Sequence, residues 1–151
     1  MDRLRLAVSH CLLVLWCGLL IGCGATGAPD PAEDVKQLQG TWTLDSTISN
    51  GVPQMADLQW LVEGDHYTIR LDGRPHVDPH YFKLDPSKRQ IDVLHRDVPN
   101  GASGGTLKGI YEIKGDRLSV CFDQTGREYP TSFDSKPGSR RVLYQFHRAG
   151  T

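Results

Sequence analysis

WLVEGDHYTIRL, residues 60–71, and YEIKGDRLSVCF, residues 111–122, share one layout: an apolar strand, a Gly-Asp pair, and a strand in which apolar and polar residues alternate. In the first, Tyr67, Ile69 and Leu71 alternate with His66, Thr68 and Arg70. In the second, Leu118, Val120 and Phe122 alternate with Ser119 and Cys121. A side-chain repeat of two is that of a half-buried strand. Glycine at the first position of a two-residue loop accepts the positive φ that a type II′ turn requires. Both stretches therefore predict β-hairpins. Two copies are too few for a stacked repeat array.

The same alternation extends outward from these hairpins. In GTWTLDSTI, Trp42, Leu44 and Ile48 are placed on one face and Thr41, Thr43 and Asp45 on the other. Phe82 and Leu84 alternate with Tyr81 and Lys83, Ile91 and Val93 flank Asp92, and Leu107, Tyr111 and Ile113 sit with Gly109. Near the C-terminus Val142, Tyr144 and Phe146 oppose Gln145 and His147. With 58–62 these make eight strands, and the only helical signal is one turn over DVKQLQ, 34–39. Eight short strands in sequence order predict an all-β, antiparallel, up-and-down barrel or a strongly curved sheet, since closure removes exposed edges. A barrel of this size holds side chains or one small ligand. The connection 123–139 is longer than an ordinary turn. Its Tyr129, Pro130 and Phe133 predict that it packs down, across a barrel mouth in the simplest arrangement.

The first 22 residues read differently. Arg3 and Arg5 precede an apolar run whose clean part, CLLVLWCGLLIG, is twelve residues, too short to span a bilayer but suited to the core of a secretory signal. The run ends Leu20-Ile21-Gly22-Cys23, which resembles the bacterial lipobox. That resemblance implies cleavage before Cys23, a diacylglycerol thioether on its thiol and a further acyl chain on its amine. Each buried methylene contributes about 0.8 kcal/mol, and two chains anchor stably where one does not. An ordinary secreted protein with a chance cysteine is the alternative. Residues 25–34, ATGAPDPAED, read as part of a tether. The expected organisation is signal 1–22, lipidated tether 23–34 and barrel domain 35–151.

Loss of 1–22 leaves 15 basic and 17 acidic residues, a net charge of −2. That balance gives no footprint for nucleic acid, and no polybasic patch for anionic lipid is visible. Cys11 and Cys17 leave with the signal and Cys23 carries lipid, so Cys121 stands without a disulfide partner. In its apolar VCF setting it reads as a small buried hydrophobe rather than a nucleophile.

Gly40-Thr41-Trp42, at the start of the first strand, resembles the G-x-W signature of lipocalins. The resemblance implies that Trp42 closes one barrel end and that Arg148 packs over it. A second similarity covers residues 38–148. LQGTWTL, Asn50-Gly51, GDHYTI, LDPSKRQIDV, KGIYEIKGDRLSVCF, the R-x-x-P-T-S-F of 127–133 and the terminal FHR resemble an uncharacterised domain family of planctomycete secreted proteins and lipoproteins. It implies fold and location, and no mechanism. RPHVDPH, 74–80, departs from it by its histidines.

That segment is the candidate metal site. His76, Asp78 and His80 are spaced two apart, so an extended strand would put them on one face, and imidazole with carboxylate suits zinc. His95 could add a ligand. Against this, Pro75 and Pro79 interrupt pairing and Gly73 suggests a turn. No G-x-S-x-G elbow supports a serine hydrolase. PNGASGGTLKG, 99–109, runs into a strand rather than the helix N-terminus a phosphate loop uses. Asp45 and Glu63 lie on polar faces and serve solvation.

Eight aromatics, among them Trp42, Trp60, Tyr67, Phe82 and Tyr111, either line a cavity or fill a core. The expectation is a lipid-anchored envelope protein without a cofactor, held at the outer membrane and facing the periplasm. Its first reading is a non-catalytic binding module for a small apolar ligand or envelope component, with Trp42, Trp60, Phe82, Tyr111 and Arg148 at the site and the 123–139 loop as lid. The alternatives are an interaction or structural lipoprotein with a filled core, and a zinc-dependent hydrolase at His76, Asp78 and His80.

Overall fold

The computed structural model describes residues 30–76, 79–94 and 105–150. Helix α1 (Pro31–Leu38) opens on Asp30, whose carboxylate accepts the Ala32 N–H at 2.9 Å. Proline follows in the first turn, and Glu33 and Asp34 sit at the positive end of the helix dipole. These start signals extend the helix beyond the single turn expected at 34–39. They also draw 31–34 out of the expected tether.

Ten strands follow: β1 (Gly40–Ser49), β2 (Val52–Gln54), β3 (Leu58–Glu63), β4 (His66–Leu71), β5 (Arg74–Pro75), β6 (His80–Asp85), β7 (Gln90–Leu94), β8 (Thr106–Lys114), β9 (Arg117–Asp123) and β10 (Arg141–Arg148). The sheet runs β10-β9-β8-β7-β6-β4-β3-β1, and β1 pairs again with β10. The result is a closed, antiparallel, eight-stranded barrel of the lipocalin-like kind, made of the eight strands expected from the alternation.

The paired hairpins close as expected. Glu63 faces His66 and Lys114 faces Arg117, with positive φ at Gly64 (63°) and Gly115 (58°) and not at the aspartate that follows. Strands β2 and β5 are additions. Each follows a two-residue turn with both φ values positive, Asn50-Gly51 (49°, 82°) and Asp72-Gly73 (49°, 72°), the type I′ arrangement.

Strand β1 departs from simple alternation. Leu44 faces Phe146 but Ser46 faces Gln145, so a bulge at Asp45 shifts the register by one. Trp42 and Leu44 point inward before it, and Thr47, opposite the inward Tyr144, points inward after it. Ile48, expected beside Trp42 and Leu44, lies on the outer face against Leu143.

The outer face of the wall is therefore apolar across β1, β10, β9 and β8, where Ile48, Leu143, Cys121 and Ile110 are successive cross-strand neighbours. The long 123–139 loop covers this stripe instead of crossing the mouth as a lid. The Cys121 thiol meets the Asp134 carbonyl at 3.4 Å, and the Tyr129 hydroxyl donates to Asp92 of β7 at 2.7 Å. The Ser135 hydroxyl, buried, donates to the Arg141 carbonyl at 2.6 Å. The outer wall has apolar surface to cover, and the loop supplies the cover.

Candidate functional site

The two barrel ends differ. At one end α1 lies against β6 and β8. Its last carbonyls, left without intrahelical donors, are taken by side chains of the barrel. Arg148 donates to the Gln37 and Gln39 carbonyls at 2.7 Å each, and the Trp42 indole N–H donates to Leu38 at 2.7 Å. The Arg148 guanidinium lies 4.2 Å from the centre of the fully buried Trp42 ring, a cation–π contact at the negative end of a helix. Gly40, at φ 105°, makes the bend between helix and strand. The glycine of the G-x-W triplet thus sets the chain direction, and its tryptophan and Arg148 plug the end.

Two further ties complete this closure. The Tyr111 hydroxyl donates to the Asp34 carboxylate across the barrel base. Burial raises the Tyr111 pKa well above its ordinary value, and the Asp34 carboxylate adds to this. The Gln39 side chain accepts from the Gly64 N–H at 2.7 Å and donates to the Gly64 carbonyl at 3.0 Å.

Above the plug the interior is aromatic. Trp60 stacks on Tyr67 at 4.4 Å and packs against Phe146 at 4.6 Å, with Tyr144 at 5.9 Å and Phe122 at 6.5 Å. Phe82 lies 6.5 Å from Tyr67. Gly109 admits this packing, because a Cβ there would stand 2.6 Å from the Phe122 ring. Of the residues singled out for ligand contact, Trp42, Tyr111 and Arg148 fasten the closed end, while Trp60 and Phe82 belong to the ring cluster. The interior is also shaped by Tyr67 and Tyr144, which carry hydroxyls into it.

At the opposite end Leu58, Ile69, Leu107 and Tyr144 face inward and are half-buried. One polar group on this inner wall lacks a partner. The Thr47 hydroxyl is buried and has no hydrogen bond among the described residues. Burial raises the Tyr67 pKa strongly, with Tyr144 adding to it, and burial raises that of Tyr144. Both phenols stay neutral and can act as donors. Sequence alternation hid Thr47, because the bulge at Asp45 reverses its face.

The histidine segment does not form one strand. Strand β5 ends at Pro75 and β6 begins at His80. The exposed His76 donates its backbone N–H to Ile69 at 2.9 Å. The His80 ring stacks with Tyr67 at 5.3 Å. Asp78 and His95 lie outside the described residues, as does Cys23. Among the described residues no group of three or more His, Cys, Asp or Glu side chains is placed to hold a metal ion. Cys121 is buried, and that burial pushes its thiol up to about 11 against the opposing pull of Arg141. It is an inert small hydrophobe.

Comparison with protein-family models and with curated proteins finds no match to this chain.

Proposed function

We propose that this protein is a lipid-anchored binding module of the cell envelope, which takes a small, mainly apolar ligand carrying one hydrogen-bonding group at the barrel end opposite α1. The observation that carries the reading is the buried, unpartnered hydroxyl of Thr47 beside Tyr144, inside a mainly aromatic and aliphatic barrel. Buried polar atoms in folded proteins are almost always paired, so one left over inside the barrel marks a place for a ligand atom or an ordered water. Half-buried Leu58, Ile69 and Leu107 supply the apolar surface. The phenols of Tyr67 and Tyr144 supply further donors.

The anchor in this reading is Cys23, in an outer membrane with the domain facing the periplasm, as the lipobox-like Leu20-Ile21-Gly22-Cys23 and the resemblance to planctomycete lipoprotein domains suggest. Six residues separate Cys23 from Asp30, a reach of at most about 25 Å when extended. Because α1 lies at the plugged end, so short a tether would hold that end near the bilayer and turn the mouth away from it. The ligand would then come from the aqueous compartment rather than from the anchoring membrane.

A second reading is favoured by the ring cluster around Trp60, which fills the plugged half of the barrel. In that case the protein is an interaction or structural lipoprotein. Native mass spectrometry of the protein extracted from envelopes without chelator separates the two. An organic mass beyond the lipid, at reduced occupancy in Thr47→Val, is the expected result. The bare lipidated mass, with no ligand acquired from an envelope extract, would overturn the binding reading in favour of the filled barrel.

A further inference from the structure

A second recess lies outside the barrel, between the start of the long loop and the start of β10. It is a half-open pocket of about 240 Å³, and Arg127, Arg140 and Arg141 all line it. That volume equals roughly eight liquid waters at about 30 Å³ each, space for a single sugar-sized molecule. Tyr129 and Pro130 give it an apolar side, and Thr125, Ser139 and Glu128 give it hydrogen-bonding groups.

Three arginines and two carboxylates line this recess, and their ion pairing is incomplete. The Asp123 carboxylate is turned onto its own loop, where it accepts the Thr125 hydroxyl at 2.6 Å and the N–H groups of Thr125, Arg127 and Glu128 at 3.0 to 3.1 Å. Burial works to raise its pKa, but these hydrogen bonds prevail and hold it at about 2. Arg141 is engaged by Asp134 at 2.9 Å. Among the described residues neither Arg127 nor Arg140 has an ion-pair partner. Arg140 also holds φ 54°, a left-handed conformation that favours glycine or asparagine. Its backbone N–H donates to Asn50 and its carbonyl accepts from Gln124, which fix it there. A long cationic side chain at a position suited to glycine is a strained choice, and strain of this kind gathers at binding sites.

We infer that this outer-wall recess binds a small polyol bearing one carboxylate, of the class of an acidic monosaccharide unit, with Arg127 and Arg140 on the carboxylate and Glu128, Ser139 and Thr125 on the hydroxyls. A guanidinium matches a carboxylate in a two-pronged hydrogen bond. Asp123 and Glu128 in the same wall disfavour a dianion such as phosphate. The site is independent of the barrel mouth, so it stands whether or not the barrel carries a ligand.

The test uses the intact chain, labelled with nitrogen-15, titrated with D-galacturonate, D-galactose and inorganic phosphate while the amide signals of 123–141 are followed. Saturable shifts are expected with galacturonate, and at least tenfold weaker binding with galactose and with phosphate. Arg140→Gly suits the local backbone, so it should leave the melting temperature unchanged or raised while weakening galacturonate at least tenfold. Arg127→Gln should do the same without touching the left-handed position. No saturable galacturonate binding, equal affinity for galactose or phosphate, or unchanged affinity in both variants would each overturn the assignment.

Discussion

Thr47→Val tests the candidate site through the sign of its effect. Thr47 is 6% exposed, and its hydroxyl has no partner among the described residues. Valine keeps the branched shape that β1 needs and replaces the desolvated hydroxyl by a methyl group, so no cavity opens. Burying a hydroxyl without a hydrogen bond costs about 1–3 kcal/mol on mutational scales. Protein refolded from denaturant, free of any carried ligand, should therefore gain about 1–2 kcal/mol from the substitution. Urea denaturation would show this as a higher midpoint with an unchanged slope, and the melting temperature would rise by roughly 4 °C for each kcal/mol. The ligand-loaded protein should respond in the opposite sense, since the same change removes a hydrogen bond to the ligand and weakens binding about tenfold. Loss of stability of about 1 kcal/mol or more in the ligand-free variant would refute the reasoning. It would mean that the hydroxyl already has a partner in the empty barrel and marks no site.

Gly109→Ala should destabilise the barrel by about 1–3 kcal/mol, because its methyl would meet the Phe122 ring at 2.6 Å and the Cys121 carbonyl at 2.9 Å; chemical denaturation followed by tryptophan fluorescence measures it. Stability should fall as pH rises above about 10. Burial holds Tyr67, Tyr111 and Tyr144 protonated in the folded state, and the Asp92 hydrogen bond raises Tyr129 to about 12. Raised folded values make their contribution full below the unfolded pKa and lost as pH climbs through the folded ones. Unfolding midpoints measured from pH 8 to 12 test this, and a flat profile would contradict it.

The wall of the barrel was legible because its strands carry long, uninterrupted alternations. Tyr67, Ile69 and Leu71, or Leu118, Val120 and Phe122, can face the core in only one register, and Gly64 and Gly115 fix the turns between neighbours. The G-x-W triplet and Arg148 were legible through resemblance, and the geometry gives them a physical reason in the carbonyls of Gln37, Leu38 and Gln39. Strands β2 and β5 were missed although Asn-Gly and Asp-Gly are the strongest short hairpin signals, since the three and two residues beyond them are too few to show alternation. The helix start was missed because Asp30-Pro31 also reads as linker, and only its cap and the Asp34–Tyr111 contact distinguish the two.

The candidate sites were the least legible part, for a common reason. Each depends on a backbone detail that side-chain periodicity does not carry. A single extra residue at Asp45 places Thr47 inside the barrel and Ile48 outside. Without that bulge, Ile48 would add to an apolar interior and no hydroxyl would be stranded there. The same shift puts Ile48 beside Leu143 on the outer wall, and the stripe it completes with Cys121 and Ile110 is what the long loop covers. The loop then brings Arg127 to Arg140 and Arg141 and forms the outer recess. One bulge thus shapes both the mouth and the outer wall.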